Sequence, residues 1–164
     1  MKIFGIAGWS GSGKTTLIEQ LIPRFVGRGL TVSLIKHAHH SFDVDRPGKD
    51  SYRHRVAGCR EVLVSSQARW VVIHELRGEP EPPLEEQIKR VSPCDLLLVE
   101  GYKRYAMPKL EIWRKENAKP LLYPEDEHVV AIAADAALET RLPRFELNDY
   151  DAIGDFILSY NGFK

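Results

Sequence analysis

The residues with the clearest chemical signature lie between Gly8 and Thr15, where the chain reads G-W-S-G-S-G-K-T. This segment matches the phosphate-binding loop pattern G-x-x-x-x-G-K-[ST] at every fixed position. Glycines let such a loop curl so that several N–H groups point at one anion, and the following helix start adds partial positive charge. The pattern predicts that Lys14 binds the β- and γ-phosphates of a nucleoside triphosphate and that the Thr15 hydroxyl binds Mg²⁺.

A candidate second metal ligand ends the apolar run D-L-L-L-V-E between Asp95 and Glu100. Such a run is typical of a central strand in a parallel sheet. A triphosphate site needs an acid near the metal, usually at the end of a hydrophobic strand. Glu100 stands at that end, whereas Asp95 begins the strand and should lie at the opposite edge. We therefore expect Glu100 near Mg²⁺; the alternative is an ordinary exposed glutamate.

A polar segment from Lys36 to Asp50 is rich in charge and histidine. It begins at the end of a predicted strand, where the ligands of open α/β sheets gather. Lys36 is expected to bind phosphate oxygens there. Asp43, Asp45 and His37 are the candidates for positioning a catalytic water molecule, and no residue is an obvious activator.

Two other interpretations of this segment stay open, a transition-metal site and a solvated polar loop. Three histidines in four positions suggest a metal, but the adjacent His39 and His40 diverge in an extended segment. No other cysteine or histidine pair completes a tetrahedral set with the usual spacing. We therefore expect no specific Zn²⁺ or Ni²⁺ site.

The elements that must position these residues alternate between short apolar strands and helices. The predicted strands are Lys2–Ala7, Thr31–Lys36, Glu61–Ser65, Trp70–Glu75, Asp95–Glu100, Leu110–Trp113 and Val129–Ala134, and the predicted helices are Thr15–Gly27, Lys49–Gly58, Leu84–Val91 and Asp149–Tyr160. This alternation favours an α/β fold of the P-loop NTPase type, a mainly parallel sheet with helices on both faces. The loops after Ala7, Lys36, Glu100 and Ala134 are expected to meet at one edge of the sheet.

Length and composition limit the remaining possibilities. A chain of 164 residues predicts a single nucleotide-binding domain over residues 1–164. A formal net charge of zero gives no overall field toward nucleic acid or membrane, so neither is an expected partner. No apolar run is long enough to span a bilayer. With no signal peptide, Cys59 and Cys94 are expected to be reduced thiols in a cytoplasmic protein.

The identity of the nucleotide base is not determined by the motifs. The guanine-reading pattern N-K-x-D is absent, and N-A-K-P between Asn117 and Pro120 is not a version of it. The residues alone therefore leave open a small-molecule kinase of the nucleoside type, which would also need an acceptor hydroxyl site and a base.

Several short segments beyond the phosphate-binding loop carry a more specific signal. They are Ile35–His40, Phe42–Asp45, Pro47–Ser51, His54–Arg55, Ala57–Gly58, Glu100–Lys103 and Pro108–Ile112. Together they resemble MobB, the molybdopterin-guanine dinucleotide biosynthesis adapter family. The resemblance spans most of the chain and weakens after Ala134, and Ser41 stands where an acid is common.

The resemblance implies a cytoplasmic, homodimeric adapter that binds GTP and Mg²⁺ and hydrolyses GTP weakly at most. It implies partnership with a MobA-type guanylyltransferase and with molybdopterin-loading proteins. It also implies that the phosphates contact a run of residues from the loop into the helix, namely Gly11, Ser12, Gly13, Lys14, Thr15 and Thr16, with Glu100 near Mg²⁺ and Lys36 beside them. An apolar edge around Leu110–Trp113 is expected to allow strand pairing between subunits.

Overall fold

The computed structural model describes residues 1–38 and 42–163. His39, His40, Ser41 and Lys164 lie outside the described residues. The chain divides into two compact units, the first formed by Met1–His37 with Arg90–Lys164 and the second by Ala38–Lys89. The single domain expected over residues 1–164 stays a prediction.

The first unit contains a six-stranded sheet, and the second contains a two-stranded sheet. The strands are β1 (Lys2–Ala7), β2 (Val32–Lys36), β3 (Glu61–Ser65), β4 (Trp70–His74), β5 (Leu96–Glu100), β6 (Lys109–Trp113), β7 (Val129–Ala134) and β8 (Arg144–Glu146). The helices are α1 (Lys14–Gly27), α2 (Asp50–Val56), α3 (Leu84–Arg90) and α4 (Tyr150–Tyr160), with a 3₁₀ turn at Lys115–Asn117. The predicted α/β class with a mainly parallel sheet is confirmed.

The large sheet has the strand order β2-β5-β1-β6-β7-β8, and each neighbouring pair is parallel. Glu100 is in register with Lys36 on one side and Ile6 on the other. Because parallel strands end at the same edge, the loops after β1, β2, β5 and β7 emerge together, as predicted. None of the described helices is long and apolar enough to cross a membrane.

The core of the first unit packs α1 and α4 against alternate residues of the central strands. Its members include Phe4, Ile6, Leu17, Leu21, Phe25, Leu98, Leu110, Ile153 and Ile157. Every residue of β5 is buried, which explains why its sequence lacks the alternation of a half-exposed strand. Truncating one of these large core side chains to alanine typically costs about 2–5 kcal/mol. The core therefore fixes the strand ends from which the polar loops depart.

The second unit contains α2 and the antiparallel pair β3–β4. Gly58 follows α2 with φ 116°, a left-handed conformation that suits glycine and ends the helix near the predicted residue. Leu63 lies opposite Val72, and Val64 opposite Val71. These four apolar side chains are exposed.

One topological prediction is wrong. The segment Leu110–Trp113 was expected to form an apolar sheet edge, but β6 pairs with β1 on one side and β7 on the other. The edges of the large sheet are β2 and β8. Strand pairing between subunits through β6 is therefore excluded, because both of its sides already carry a neighbour.

Candidate nucleotide and metal site

The phosphate-binding loop, residues Gly8–Thr15, joins β1 to α1 at the carboxyl edge of the sheet. Gly8 has φ 148° and Gly13 φ 98°, in the region that side chains other than glycine rarely adopt. A Cβ on Gly8 would also lie 2.5 Å from the Ile112 carbonyl oxygen. The backbone path of the loop thus requires glycine at these positions of the motif.

Lys14 reaches back across this loop. Its ammonium group donates to the carbonyl oxygens of Gly8 at 3.0 Å and Trp9 at 2.9 Å. Burial lowers the pKa of Lys14 below its ordinary value; Glu100 opposes the shift, and Lys103, like Lys36, adds to it. A bound anion would favour the charged form of this lysine.

Three predicted site residues meet where β2, β5 and α1 converge. The Thr15 hydroxyl donates to Glu100 Oε1 at 3.3 Å, and Lys36 Nζ lies 3.4 Å from Glu100 Oε2. Lys36 Nζ is also 3.5 Å from Thr15 Oγ1. The Glu100 side chain is 7% exposed, which strengthens its interaction with cations. A hydroxyl and a carboxylate form the hard oxygen set that Mg²⁺ prefers, so the donor chemistry fits this ion.

The structure bears on His37 and on the alternative transition-metal interpretation. Among the described residues, no three His, Cys, Asp or Glu side chains come close enough to hold a metal ion. The His37 N–H donates to the Glu100 carbonyl oxygen at 3.0 Å. Its ring packs on Tyr102 with centroids 4.8 Å apart. His37 therefore lies at the strand edge that carries Glu100.

Asp43 and Asp45 lie in the second unit, where both bind Arg55. The Asp45 N–H and then Arg55 lower the pKa of Asp43. Burial pushes the pKa of Asp45 upward, but the Ser51 hydroxyl, a main-chain N–H and Arg55 bring it below its ordinary value. Arg55 also donates to Glu75 at 2.5 Å. The proposed role of the two aspartates in positioning water stays a prediction.

Residues that follow β6 contact the phosphate-binding loop and were not predicted. Arg114 Nε donates to the Ser12 carbonyl oxygen at 3.0 Å, and the Asn117 amide lies beside Gly11. Ser12 Oγ and Asn117 Nδ2 are buried without a hydrogen-bond partner among the described residues. Only the strand order could have identified these residues, because the loop after a parallel strand next to β1 emerges at the same edge of the sheet as the phosphate-binding loop.

A fully buried lysine on β6 fixes the loop that follows Glu100. Lys109 Nζ donates to the carbonyl oxygens of Lys103 at 2.9 Å and Tyr105 at 2.7 Å. It also lies 2.6 Å from Asp126 Oδ2, which supplies the opposite charge. All three ammonium protons thus have acceptors, as burial of a lysine demands.

Glu111, two residues further along β6, fixes a second loop in the same way. Its carboxylate is fully buried and accepts the N–H groups of Leu122 at 2.7 Å and Tyr123 at 3.0 Å. Burial raises the pKa of Glu111, and these two hydrogen bonds oppose the rise. Sequence reasoning missed both buried charges because charged residues within a strand usually indicate a solvent-exposed face.

The parallel sheet and the loop with its lysine, threonine and strand-end glutamate define a protein of the P-loop NTPase fold type. Residues 3–135 match the family described as "MobB: Molybdopterin guanine dinucleotide synthesis protein B". The chain belongs to this family, which confirms the resemblance predicted from its sequence.

Individual relatives agree over nearly the whole chain. The chain is 40% identical over 161 residues to the molybdopterin-guanine dinucleotide biosynthesis adapter protein of Escherichia coli (strain K12), covering 96% of this chain and 92% of that protein. Identity to the Haemophilus influenzae protein of the same name is 43% over 160 residues, covering 94% and 86%. The crystal structure of Bacillus subtilis MobB superposes with a TM-score of 0.76 at 25% identity, covering 100% of both chains.

Proposed function

We propose that this chain is an adapter of molybdenum cofactor biosynthesis that binds GTP with Mg²⁺. The observation that carries the proposal is the cluster of Thr15, Glu100 and Lys36 beside the phosphate-binding loop, with side-chain polar atoms 3.3–3.5 Å apart. Thr15 and Glu100 would hold Mg²⁺, which neutralises charge on the β- and γ-phosphates when bound. Lys14 and the loop N–H groups from Gly11 to Thr16 would hold the phosphate oxygens.

GTP hydrolysis would be slow because the carboxylates that could activate a water molecule are already bound to other side chains. Glu100 is bound to Thr15 and Lys36, whereas Asp43 and Asp45 are bound to Arg55. A general base works best with a pKa near the operating pH, and both aspartates have lowered pKa values. The guanylyl transfer itself would then be catalysed by a MobA-type guanylyltransferase. Molybdopterin-loading proteins would be further partners, and all of these proteins would act in the cytoplasm.

A homodimer is supported by the β3–β4 pair of the second unit. An isolated two-stranded sheet is marginally stable in water and needs further packing. Trp70, Leu63 and Val72 share one face and are 67%, 62% and 42% exposed. We propose that a second copy of the chain covers these side chains.

Nucleotide titration with matched metal conditions tests the proposed ligand. Calorimetry with GTP, GDP and ATP, each with Mg²⁺ and with a chelator, should show tightest binding for GTP with Mg²⁺. Preference for ATP, together with phosphate transfer to a nucleoside, would support the small-molecule kinase instead. Equal affinity with and without Mg²⁺ would remove the metal from the proposal.

The oligomer is tested by light scattering on variants of one exposed apolar face. Leu63→Glu and Val72→Lys should shift the mass from dimer to monomer, because each places a charge in the covered face. Val26→Glu on α1 is the control, since Val26 is also an exposed apolar residue, at 54%. A wild-type monomer at all concentrations would contradict the homodimer.

A further inference from the structure

Trp9, within the phosphate-binding loop, is held in a fixed place. Its indole N–H donates to the Pro120 carbonyl oxygen at 2.8 Å. Lys103 Nζ lies over the ring, 4.1 Å from its centroid, and Lys119 Nζ lies 6.0 Å away. At 4.1 Å the Lys103 ammonium is within the range of a cation–π contact, while Lys119 is at its limit.

Two side chains of β6 hold the loops that carry Lys103 and Pro120. Lys109 holds the main chain of Lys103 through its carbonyl oxygen. Glu111 holds the loop beyond Pro120 through the N–H of Leu122. A side chain that starts from such a fixed backbone loses less conformational freedom on binding a ligand.

Lys103 adds positive charge beside the phosphate-binding loop, because its ammonium group lies on the Trp9 ring and acts electrostatically on Lys14. It follows Glu100 by three residues, in the loop that leaves β5. The lysine of a phosphate-binding loop reaches the β- and γ-phosphates, so an ammonium group close to Lys14 would lie near the terminal phosphate. Lys36 and Lys103 both act electrostatically on Lys14, and these three ammonium groups outnumber the carboxylate of Glu100, which also acts on it. Such an excess of ammonium groups favours a multiply charged anion.

We propose that Lys103, seated on the Trp9 ring, is a further phosphate-binding residue that contacts the terminal phosphate and favours a nucleoside triphosphate over a diphosphate. The inference rests on the proposed nucleotide function and assigns a discriminating residue within that site. Trp9 is its positioning residue: the cation–π contact keeps the ammonium beside the loop, and a phosphate oxygen offers a stronger partner.

The test compares GTP with GDP, both with Mg²⁺, in wild type, Lys103→Met, Lys103→Arg and Lys119→Met. The Lys103→Met variant loses a charge-assisted hydrogen bond, so it should bind GTP about 10- to 100-fold more weakly than wild type. Its affinity for GDP should change less than about threefold. Lys103→Arg should restore most of the GTP preference, because arginine keeps the charge. Lys119→Met, which removes a lysine near the same ring, should leave the GTP-to-GDP ratio unchanged.

Fluorine NMR gives a second readout that does not depend on affinity alone. In protein labelled with 5-fluorotryptophan, the Trp9 signal, assigned by Trp9→Phe, should shift more with GTP than with GDP as the ammonium leaves the ring. In Lys103→Met the two nucleotides should give the same Trp9 shift. Equal shifts in the wild-type protein would overturn the inference.

The possible failures are distinguishable. If wild type binds neither nucleotide, the proposed function is overturned, and this inference with it. If wild type binds GTP but Lys103→Met keeps the same GTP-to-GDP ratio, only the inference is overturned. Equal losses in Lys103→Met and Lys119→Met would show general electrostatic attraction and overturn a specific contact.

Discussion

Lys109 Nζ lies 2.6 Å from Asp126 Oδ2, and the lysine side chain is fully buried while the aspartate is 19% exposed. This ion pair joins a central strand to the turn before β7. The same ammonium group also donates to the Lys103 and Tyr105 carbonyl oxygens. The pair therefore links the stability of the fold to the shape of the loop after Glu100.

Lys109→Met is expected to lower the free energy of unfolding by about 3 kcal/mol, because it leaves a partly buried carboxylate and two carbonyl groups without their donor. Urea unfolding measures the loss. The matched double variant Lys109→Met/Asp126→Ala should lose less than the sum of the two single variants. Additive losses would show that the pair contributes no coupling.

The raised pKa of Glu111 should make the free energy of unfolding depend on pH. The sign of this dependence is opposite to that of an ordinary ion-paired acid, whose pKa is lowered. Burial raises the folded-state pKa of Glu111, so between the ordinary and the raised values the folded chain binds more protons than the unfolded chain. This group's contribution to the unfolding free energy must fall as pH rises through that interval and then stay constant.

The comparison is between wild type and Glu111→Gln in urea unfolding from about pH 4 to pH 7, the range above the ordinary glutamate pKa. The wild-type advantage should shrink as pH rises, because the amide does not titrate. The amide also replaces one of the two acceptor oxygens by a donor beside a main-chain N–H group, so only the slope is diagnostic. Parallel curves would contradict the raised pKa.

Strands and site residues with a periodic or strand-end signal were predicted well. The bounds of β1, β3 and β7 agree with the structure because apolar runs define them. Thr15, Glu100 and Lys36 were placed together because parallel strands share a carboxyl edge, and the structure confirms their proximity.

Features that depend on strand order or on a buried charge were not predicted. β8 was missed because it has only three residues, R-F-E, with a charge at each end. The interior position of β6 was missed because sequence alone does not reveal its two neighbours. Arg114 was missed for the same reason, since its contact with Ser12 exists only because β6 lies beside β1.

Glu100→Gln should weaken GTP binding with Mg²⁺ at least about tenfold and leave metal-free binding within about threefold. The amide keeps the shape but lacks the negative charge that a hard cation prefers. Calorimetry with Mg²⁺ and with a chelator gives the ratio. Glu146→Gln, at the end of the edge strand β8 and bound to Arg144, is the matched control. An unchanged ratio in Glu100→Gln would place the metal elsewhere.

Arg55→Met should speed amide hydrogen exchange at Asp45 and Arg46, whose N–H groups bind the carboxylates of Asp43 and Asp45. Arg55 bridges both carboxylates and Glu75, so its loss leaves three acids without their shared cation. Arg53→Met on the same helix is the control, because the Arg53 side chain is 74% exposed and its ion pair is long, at 3.9 Å. Equal exchange in both variants would deny Arg55 this ordering role.

Lys14→Ala should abolish triphosphate binding without unfolding the domain, because the side chain is needed for phosphate charge and its removal leaves the glycine backbone intact. The lowered pKa of Lys14 adds a pH dependence. Below that pKa the lysine is charged and the affinity for the triphosphate is highest. The affinity falls as pH rises through the pKa of Lys14. Because bound phosphate favours the ammonium form, binding takes up protons in this alkaline range.

Lys14→Arg separates this titration from that of the nucleotide, because the guanidinium stays charged throughout the range. The ratio of wild-type to Lys14→Arg affinity for GTP with Mg²⁺ should therefore fall as pH rises above neutrality, whatever the absolute affinity of the arginine variant. Calorimetry in buffers of different ionisation enthalpy gives both the affinity and the number of protons taken up. A constant ratio with no alkaline proton uptake would show that Lys14 keeps an ordinary pKa beside Lys36 and Lys103.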